Sequence, residues 1–490
     1  MSDCCSTQRT SPTQGSGTGR SGAEGKHLLI VGGGGAAFAA ALKASSLGAR
    51  VTIINDGLPM GGTCVNVGCV PSKTLLRAAE SLHRAQHPPP FAGISTSGRL
   101  EDFSAVMRQK RELVEQLRQA KYADVIGDDP NITFRRGRGK LVDNRTVSVD
   151  GEHLHGDAVL IATGARPAIP AIPGLAQVAY LTNESAFEMT ALPASLLVLG
   201  GRYIALEIAQ LFARLGTRVT VLQRSARILP DQSPELTNAL TAYLEAEGIR
   251  VVTGVQSQRV AEQNGEVVFE ATVGGKSEQF RAERLLLATG RQPNIDSLGL
   301  PAVGVLTDER GFVQVDDMLA TPAKGVFAAG DVIGEPMFVY TAAYEGALAA
   351  ENALTGAGRT RDYTALPWVV FTDPQVAGVG LDEAEARKQG IPAEAVTLPL
   401  AQVPRAIAAR DTRGFIQLIR NPETDQVLGA RVLAPEGGEL LMEVALAIRH
   451  GLTVQSLATA FHPYLTLGEG IKLAALSFGK DVKKLSCCAA

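Results

Sequence analysis

The 490-residue sequence predicts an α/β fold: two doubly wound units of mainly parallel sheet, followed by a C-terminal α+β domain. Three observations lead there. An apolar strand from His27 to Val31 runs into Gly32-Gly33-Gly34-Gly35-Ala36-Ala37, an Ala-rich helical stretch to Leu47, a stop at Gly48 and a second strand from Arg50 to Ile54. The same grammar returns as a strand from Leu196 to Leu199, then Gly200-Gly201-Arg202-Tyr203-Ile204-Ala205, a helix through Arg214, Gly216 and a strand from Arg218 to Leu222. Beyond Gly356-Ala357-Gly358 the texture changes to strands such as Phe415 to Ile419 and Val427 to Leu433, then an apolar helix from Glu439 to His450. Short apolar runs bounded by glycine read as buried parallel strands, and helical periodicity between two of them makes a βαβ unit.

A chain of this length suggests roughly three domains. Residues 1–25 are rich in Ser, Thr, Gly and Gln with almost nothing apolar, which predicts a flexible N-terminal tail. Residues 26–165 carry the first unit, closed by a strand from Asp157 to Ile161 that ends in Ala162-Thr163-Gly164. Residues 166–290 carry the second, closed by a strand from Arg284 to Leu287 and Ala288-Thr289-Gly290. Within 291–355, Val326-Phe327-Ala328-Ala329-Gly330-Asp331 reads as a buried strand returning to the first unit; 356–480 form the α+β domain and 481–490 a polar, mobile tail. Helices are expected over 73–87 and 101–123, the second with an apolar stripe among charges.

Charge and hydropathy exclude several classes. Lys plus Arg number 47 against 50 Asp plus Glu, a formal charge of -3, and no stretch concentrates basic residues, so nucleic acid is not expected as a partner. Hydrophobic residues make up 45%, yet no apolar run approaches the ~18 residues needed to span a bilayer, and the first 25 residues lack the apolar core of a signal peptide. The expectation is a cytoplasmic protein without membrane insertion.

Gly32, Gly34 and Ala37 fill the three places of a G-x-G-x-x-G/A fingerprint between a strand and a helix. The first makes the turn, the second lets a pyrophosphate approach the backbone, and the third lets helix and strand pack closely, which marks a Rossmann-like dinucleotide site. Where an acid usually holds the ribose hydroxyls the second strand ends in Asn55, with Asp56 next to it, and Asn55 is expected at the cofactor because an amide can still hydrogen-bond a hydroxyl. In the second unit Gly200 and Ala205 fit, and Arg202 replaces the middle glycine. That strand ends in Gln223-Arg224, with Arg227 close behind. Guanidinium groups there would pair with a 2′-phosphate that a carboxylate would repel, so NADPH is expected rather than NADH; the competing reading is a pair of solvated surface charges.

Six cysteines are too few for a disulfide scaffold, and they fall in pairs: Cys4 and Cys5, Cys64 and Cys69, Cys487 and Cys488. The central pair lies in Gly61-Gly62-Thr63-Cys64-Val65-Asn66-Val67-Gly68-Cys69-Val70-Pro71-Ser72-Lys73. A C-x4-C pair at the mouth of a helix puts the second sulfur near positive dipole and Lys73, conditions that lower a thiol pKa. Four ligands at local spacing for a structural zinc are absent.

On this motif and the two fingerprints the chain, from about residue 26 to 490, resembles the pyridine nucleotide-disulfide oxidoreductases. The resemblance implies FAD in the first unit, NADPH in the second and a homodimer whose active sites combine both subunits. It implies that Cys64 is the interchange thiol, Cys69 the thiolate facing the flavin, Lys73 with Glu207 an ion pair near the isoalloxazine, and Asp331 a contact of the ribityl chain. Gly62 and Thr63 of the motif, and Thr163, Gly164 and Gly290 of the strand closures, are expected at the cofactors as well.

The chain ends in Ser486-Cys487-Cys488-Ala489-Ala490, which resembles the mercuric reductases of that family. There, tail thiols of one subunit pass Hg(II), the substrate, to the redox pair of the other. A very soft cation prefers two thiolates and exchanges stepwise between thiol pairs without release to water. Phe338-Val339-Tyr340 and His462-Pro463-Tyr464-Leu465-Thr466 resemble the segments that set Tyr340 and Tyr464 beside the metal-bearing sulfurs; ordinary aromatic packing is the competing reading. The disulfide reductases of the family pair the His of such a segment with a Glu five residues on; here Leu467 stands at that place, Glu469 is out of register and the dyad reads as broken. His462 itself is the residue of the disulfide reductases, where mercuric reductases usually carry an apolar one. Two alternatives stand beside Hg(II) reduction: a large-type thioredoxin reductase with a shuttling C-terminal Cys-Cys, and a thiol-based metal-sequestering protein. Cys4 and Cys5 would form a small metal-collecting arm, or an incidental pair.

Overall fold

The structure is a computed structural model that describes residues 22–481 and residue 484. The first βαβ unit forms a five-stranded parallel sheet in the order Val326–Ala328, Ala158–Ile161, His27–Val31, Arg50–Asn55, Ile132–Arg136. Its central strands are covered on both faces, which is why they read as unbroken apolar runs: Leu28, Leu29 and Ile30 are all fully buried. The helix Gly35–Ser46 covers one face with a stripe of Ala36, Ala37, Ala40, Ala41 and Ala44, packed against the helix Val339–Thr355. Small residues bring the two backbones so close that a Cβ on Gly346 would stand 2.1 Å from Ala36 O.

The second unit repeats the design in a five-stranded parallel sheet, Arg250–Val252, Arg218–Leu222, Ser195–Leu199, Arg284–Leu287, Tyr180–Leu181. The chain crosses between the units twice, and the crossing segments Ala165–Pro167 and Arg291–Pro293 pair antiparallel as one ribbon. Each unit also carries a three-stranded antiparallel meander: Gly139–Asp143, Thr146–Val149 and Glu152–His155 in the first, Gln256–Gln263, Glu266–Val273 and Lys276–Ala282 in the second.

The C-terminal domain is a five-stranded antiparallel sheet, Trp368–Val370, Gln375–Gly380, Val427–Ala434, Phe415–Arg420, Glu394–Pro399, with helices Leu441–Arg449 and Glu469–Leu476 packed on it. A buried charge network fastens it to the second unit. Arg214 Nη2 lies 2.6 Å from Glu247 Oε1 and 3.0 Å from Asp373 Oδ2, while Arg413 Nη2 lies 3.0 Å from Asp373 Oδ1. On the outer surface Met442, Leu446, Phe461 and Tyr464 are exposed, Phe461 completely. Among the described residues no helix is long and apolar enough to cross a membrane.

Two helices differ from their sequence reading. The one expected over 73–87 spans Cys69–Gln86, because the chain already turns into it at Gly68. The one expected over 101–123 is α-helical only from Phe103 to Arg118, opened by Asp102 Oδ1 accepting from Ser104 N at 2.8 Å, and then widens into a π-turn over Gln119–Ala123. Such π-turns recur at functional sites, and this one carries Tyr122.

Candidate active site

The redox motif folds directly onto the first fingerprint. Gly62 has φ +59, and a Cβ there would sit 2.6 Å from Gly34 Cα, so a glycine at 62 lets the thiol segment lie on the phosphate-binding turn. Cys64 stands in the short helix Gly62–Val67, and Cys69 opens the long helix Cys69–Gln86 at its positive end. Both are half-buried free thiols. The Cys64 thiol donates to the Cys69 sulfur, and this bond, helped by the charge of Lys73, holds Cys69 down at about 7 against the opposing effects of burial and Glu207. Cys64 is pushed far up by the same hydrogen bond and by burial. The pair is therefore one thiolate and one thiol near neutrality.

Lys73 and Glu207 meet at 2.8 Å, and Glu207 Oε1 also accepts from Phe371 N at 3.0 Å. Lys73 Nζ lies 4.4 Å from the Phe371 ring centre. One ion pair thus joins the thiol helix of the first unit, the fingerprint helix Tyr203–Arg214 of the second and the C-terminal domain.

The residues at both fingerprints fit bound dinucleotides. Gly32 and Gly200 are pressed against the strand closures, where a Cβ would stand 2.1 Å from Ala162 O and 2.3 Å from Ala288 O; Ala37 and Ala205 are buried behind them. Next to Gly32 the buried Thr163 Oγ1 lacks a hydrogen-bond partner among the described residues, as an atom awaiting a ligand would; Gly164 and Gly290 continue the two closures in left-handed backbone. Asp331 sits 3.4 Å from Arg291 Nε, its carboxyl raised by burial, and the preceding Gly330 N–H donates to buried Glu345 at 2.7 Å. Asn55 packs over Gly33 and spends Nδ2 on Leu58 O at 2.9 Å, while Asp56 pairs with Arg138 at 2.8 Å. In the second unit Arg224 is exposed and the buried Arg227 Nε has no hydrogen-bond partner among the described residues, leaving cationic capacity at the end of Arg218–Leu222. Arg202 pairs with Asp231.

Two residues of the site escape sequence reasoning. Tyr122 packs edge-on to Phe38, ring centres 4.8 Å apart, against Gly61; its hydroxyl pKa is raised by burial and then by the charges of Cys64 and Cys69. Asn66 donates to Pro59 O, Met60 O and Gly62 O at 2.8–3.1 Å and accepts from Arg118 at 3.1 Å, fixing the thiol loop. Tyr340 stacks on Phe338 at 5.2 Å and its hydroxyl donates to Pro367 O at 2.5 Å; burial, Tyr203 and the Cys69 charge all raise it. Tyr464 lies exposed on the C-terminal domain. At the family's spacing the dyad stays broken, with Leu467 at the fifth place, but His462 does have a carboxylate partner. His462 Nε2 lies 2.8 Å from Glu443 Oε1 on helix Leu441–Arg449, and Nδ1 lies 3.2 Å from Ala460 O. Cys4, Cys5, Cys487 and Cys488 lie outside the described residues.

Comparison with known proteins agrees with this geometry. The pyridine nucleotide-disulphide oxidoreductase model matches residues 26–346 and the dimerisation domain of the same family residues 366–475. Mercuric reductases from Shigella flexneri and Streptomyces lividans are each 46% identical, over 96% and 95% of this chain and 84% and 98% of theirs. The one from Staphylococcus aureus is 44% identical over 94% of this chain and 84% of its own. Among solved structures, the Cu(II) complex of the HOCl-induced flavoprotein disulfide reductase RclA from Escherichia coli superposes with TM-score 0.82 at 29% identity, over 92% of this chain and all of that one. LpdA from Mycobacterium tuberculosis gives 0.82 at 27%, over 93% of this chain and all of its own. With a polarised thiol pair set on the first of two nucleotide units, and both family models matched in order, the chain belongs to the pyridine nucleotide-disulphide oxidoreductases and is an enzyme of that family.

Proposed function

We propose that the enzyme reduces Hg(II) to Hg(0) with NADPH, through FAD and the Cys64/Cys69 pair, as part of mercury detoxification. The observation that carries this reading is the thiolate–thiol pair itself, two sulfurs on adjoining helices with Cys69 held near 7 by Cys64 and Lys73. Relatives called mercuric reductase, 44% and 46% identical over nearly the whole chain, support the metal as substrate.

Residues 26–165 and 291–355 would form the FAD domain, 166–290 the NADPH domain and 356–480 the dimer interface. Gly32, Gly34, Ala37, Gly62, Thr63, Thr163, Gly164 and Asp331 would hold FAD, and Gly200, Ala205, Arg224, Arg227 and Gly290 NADPH; bound together, the two supply an electron pair at the sulfurs. Lys73, neutralised by Glu207, keeps a cation beside Cys69 at modest electrostatic cost. Hg(II) arrives as a bis-thiol adduct. Cys64, the interchange thiol, takes the place of one ligand, which accepts its proton and leaves as thiol; the Cys69 thiolate then displaces the second ligand as thiolate, and Hg(II) ends held between two protein sulfurs. Two electrons convert it to Hg(0), which no longer holds thiolate ligands, and each sulfur keeps its own pair. In a homodimer, Cys487 and Cys488 of one subunit would pass the metal to the pair of the other. The exposed Met442, Leu446, Phe461 and Tyr464 on the domain matched as a dimerisation domain support that assembly. The proposed compartment is the cytoplasm, where thiols stay reduced.

A second reading, reduction of a protein or small-molecule disulfide, is favoured by the His462–Glu443 pair, which restores an acid–base partner. The test measures Hg(II)-dependent NADPH oxidation in excess thiol beside oxidised glutathione, lipoamide and thioredoxin. Turnover with Hg(II) and release of volatile mercury are expected; turnover only with a disulfide would overturn the assignment.

A further inference from the structure

We propose that Arg202 binds the diphosphate of the nicotinamide dinucleotide, and that Asp231 is the counter-ion it leaves when the dinucleotide enters. The inference rests on the pyridine-nucleotide reading of the second unit and adds a residue to it.

The two fingerprints have the same backbone at their middle position. Gly34 has φ -95° and ψ -168°, Arg202 φ -108° and ψ -169°; each opens a helix whose first-turn N–H groups receive no side-chain cap. Extended backbone of this kind suits any residue, so arginine replaces glycine without distorting the turn. What changes is the ligand's approach: where Gly34 offers bare backbone, position 202 adds a guanidinium rooted beside the uncapped N–H groups of a helix of 12 residues.

Arg202 is about half exposed and paired with Asp231. Asp231 follows a segment tied to the same turn, since Leu229 N donates to Gly201 O at 2.8 Å. The pair therefore rests beside the fingerprint turn rather than on a remote surface. An ion pair this exposed is weak, whereas a diphosphate offers the fork of a guanidinium more charge and bidentate oxygens. Exchange of Asp231 for diphosphate is accordingly downhill and needs only a side-chain swing. Arg202 differs in function from Arg224 and Arg227, which follow the next strand at the place of a 2′-phosphate. NADPH and NADH share the diphosphate and differ in the 2′-phosphate, so the two sets of arginines are separable by experiment.

The test is isothermal titration of the full-length oxidised holoenzyme with NADP+ and, separately, NAD+, on wild type, Arg202→Ala, Arg202→Lys, Asp231→Asn and Arg224→Ala. Arg202→Ala should raise Kd for both dinucleotides by about tenfold or more, the size of a lost charge-assisted hydrogen bond, and Arg202→Lys should recover part of it. Asp231→Asn should tighten both by up to about fivefold, by removing a competing carboxylate. Arg224→Ala should weaken NADP+ alone. Unchanged binding in Arg202→Ala, or a loss confined to NADP+, overturns the diphosphate role; weaker binding in Asp231→Asn overturns the exchange. Wild-type protein that binds neither dinucleotide overturns the pyridine-nucleotide reading, and this inference with it, and the wild-type titration alone identifies that case.

Discussion

Lys73 Nζ lies 2.8 Å from Glu207 Oε2, one on the helix that begins at Cys69 and the other on the helix that begins at the second fingerprint. The pair has opposed effects on the thiolate: the Lys73 charge lowers Cys69 and the Glu207 charge raises it. Removing either charge should therefore move the thiolate in opposite directions. Lys73→Met is expected to shift the pH profile of Cys69 alkylation upward and Glu207→Gln to shift it downward. A rise of one unit from neutrality would lower the thiolate fraction at pH 7 by about fivefold, with a matching loss of activity. Alkylation rates measured across pH on the reduced enzyme check this, and equal shifts in the same direction would show that the pair acts only as a structural clamp.

The hydrogen bond from Cys64 is the largest cause holding Cys69 down at about 7. Cys64→Ala should raise Cys69 toward an ordinary thiol, and Cys64→Ser, which keeps a donor, should raise it less. In the wild type, reactions that need the thiolate should gain rate as pH rises through about 7 and then level off. Ultraviolet thiolate absorbance titrated in both variants and the wild type reads this directly, and a Cys64→Ala profile superimposed on wild type would refute it.

Much of this site is legible in the sequence because it is local. Cys64, Cys69 and Lys73 occupy one segment, and helix geometry alone sets the second sulfur at a positive terminus. Glu207 is assigned by resemblance, since nothing in its own helix marks a carboxylate that will be buried against Lys73. Tyr122 is hidden for a different reason: it sits in a polar helical stretch, and the π-turn over Gln119–Ala123 has no periodic signature. The partner of His462 is missed because reasoning by spacing looks five residues ahead, while the fold supplies Glu443 from 19 positions behind. Arg202 is visible as a departure from the fingerprint, yet only the backbone angles show that the departure costs the turn nothing. The strands of both sheets follow from their apolar runs; the two antiparallel meanders, turning at Asn144-Arg145, Asp150-Gly151, Asn264-Gly265 and Gly274-Gly275, lack such runs and are marked in the sequence only by their turn dipeptides.

The contact between helices Gly35–Ser46 and Val339–Thr355 depends on Gly346, where a Cβ would meet Ala36 O at 2.1 Å. Gly346→Ala must push the helices apart and disturb both the first fingerprint and the Gly330–Asp331 turn beneath it. A destabilisation of about 1–3 kcal/mol is expected from overpacking, together with weaker flavin retention. Denaturant unfolding and flavin release on dilution measure the two effects, and wild-type values for both would show that the helices shift freely.

Arg214 is almost wholly buried between Glu247 and Asp373, whose carboxylates it joins at 2.6 and 3.0 Å. Arg214→Ala would leave two carboxylates short of their main cation at the junction of the second unit and the C-terminal domain, with Arg413, and the His83 ring 3.8 Å from Glu247, left beside them. Breaking a buried network by removing one partner costs about 3–5 kcal/mol. Arg214→Met with Glu247→Gln, which retains volume without the charges, should recover part of the stability. Thermal unfolding of wild type, Arg214→Ala, Arg214→Met and the double variant tests this, and Arg214→Met alone matching the double variant would assign the effect to lost packing of the arginine stem instead.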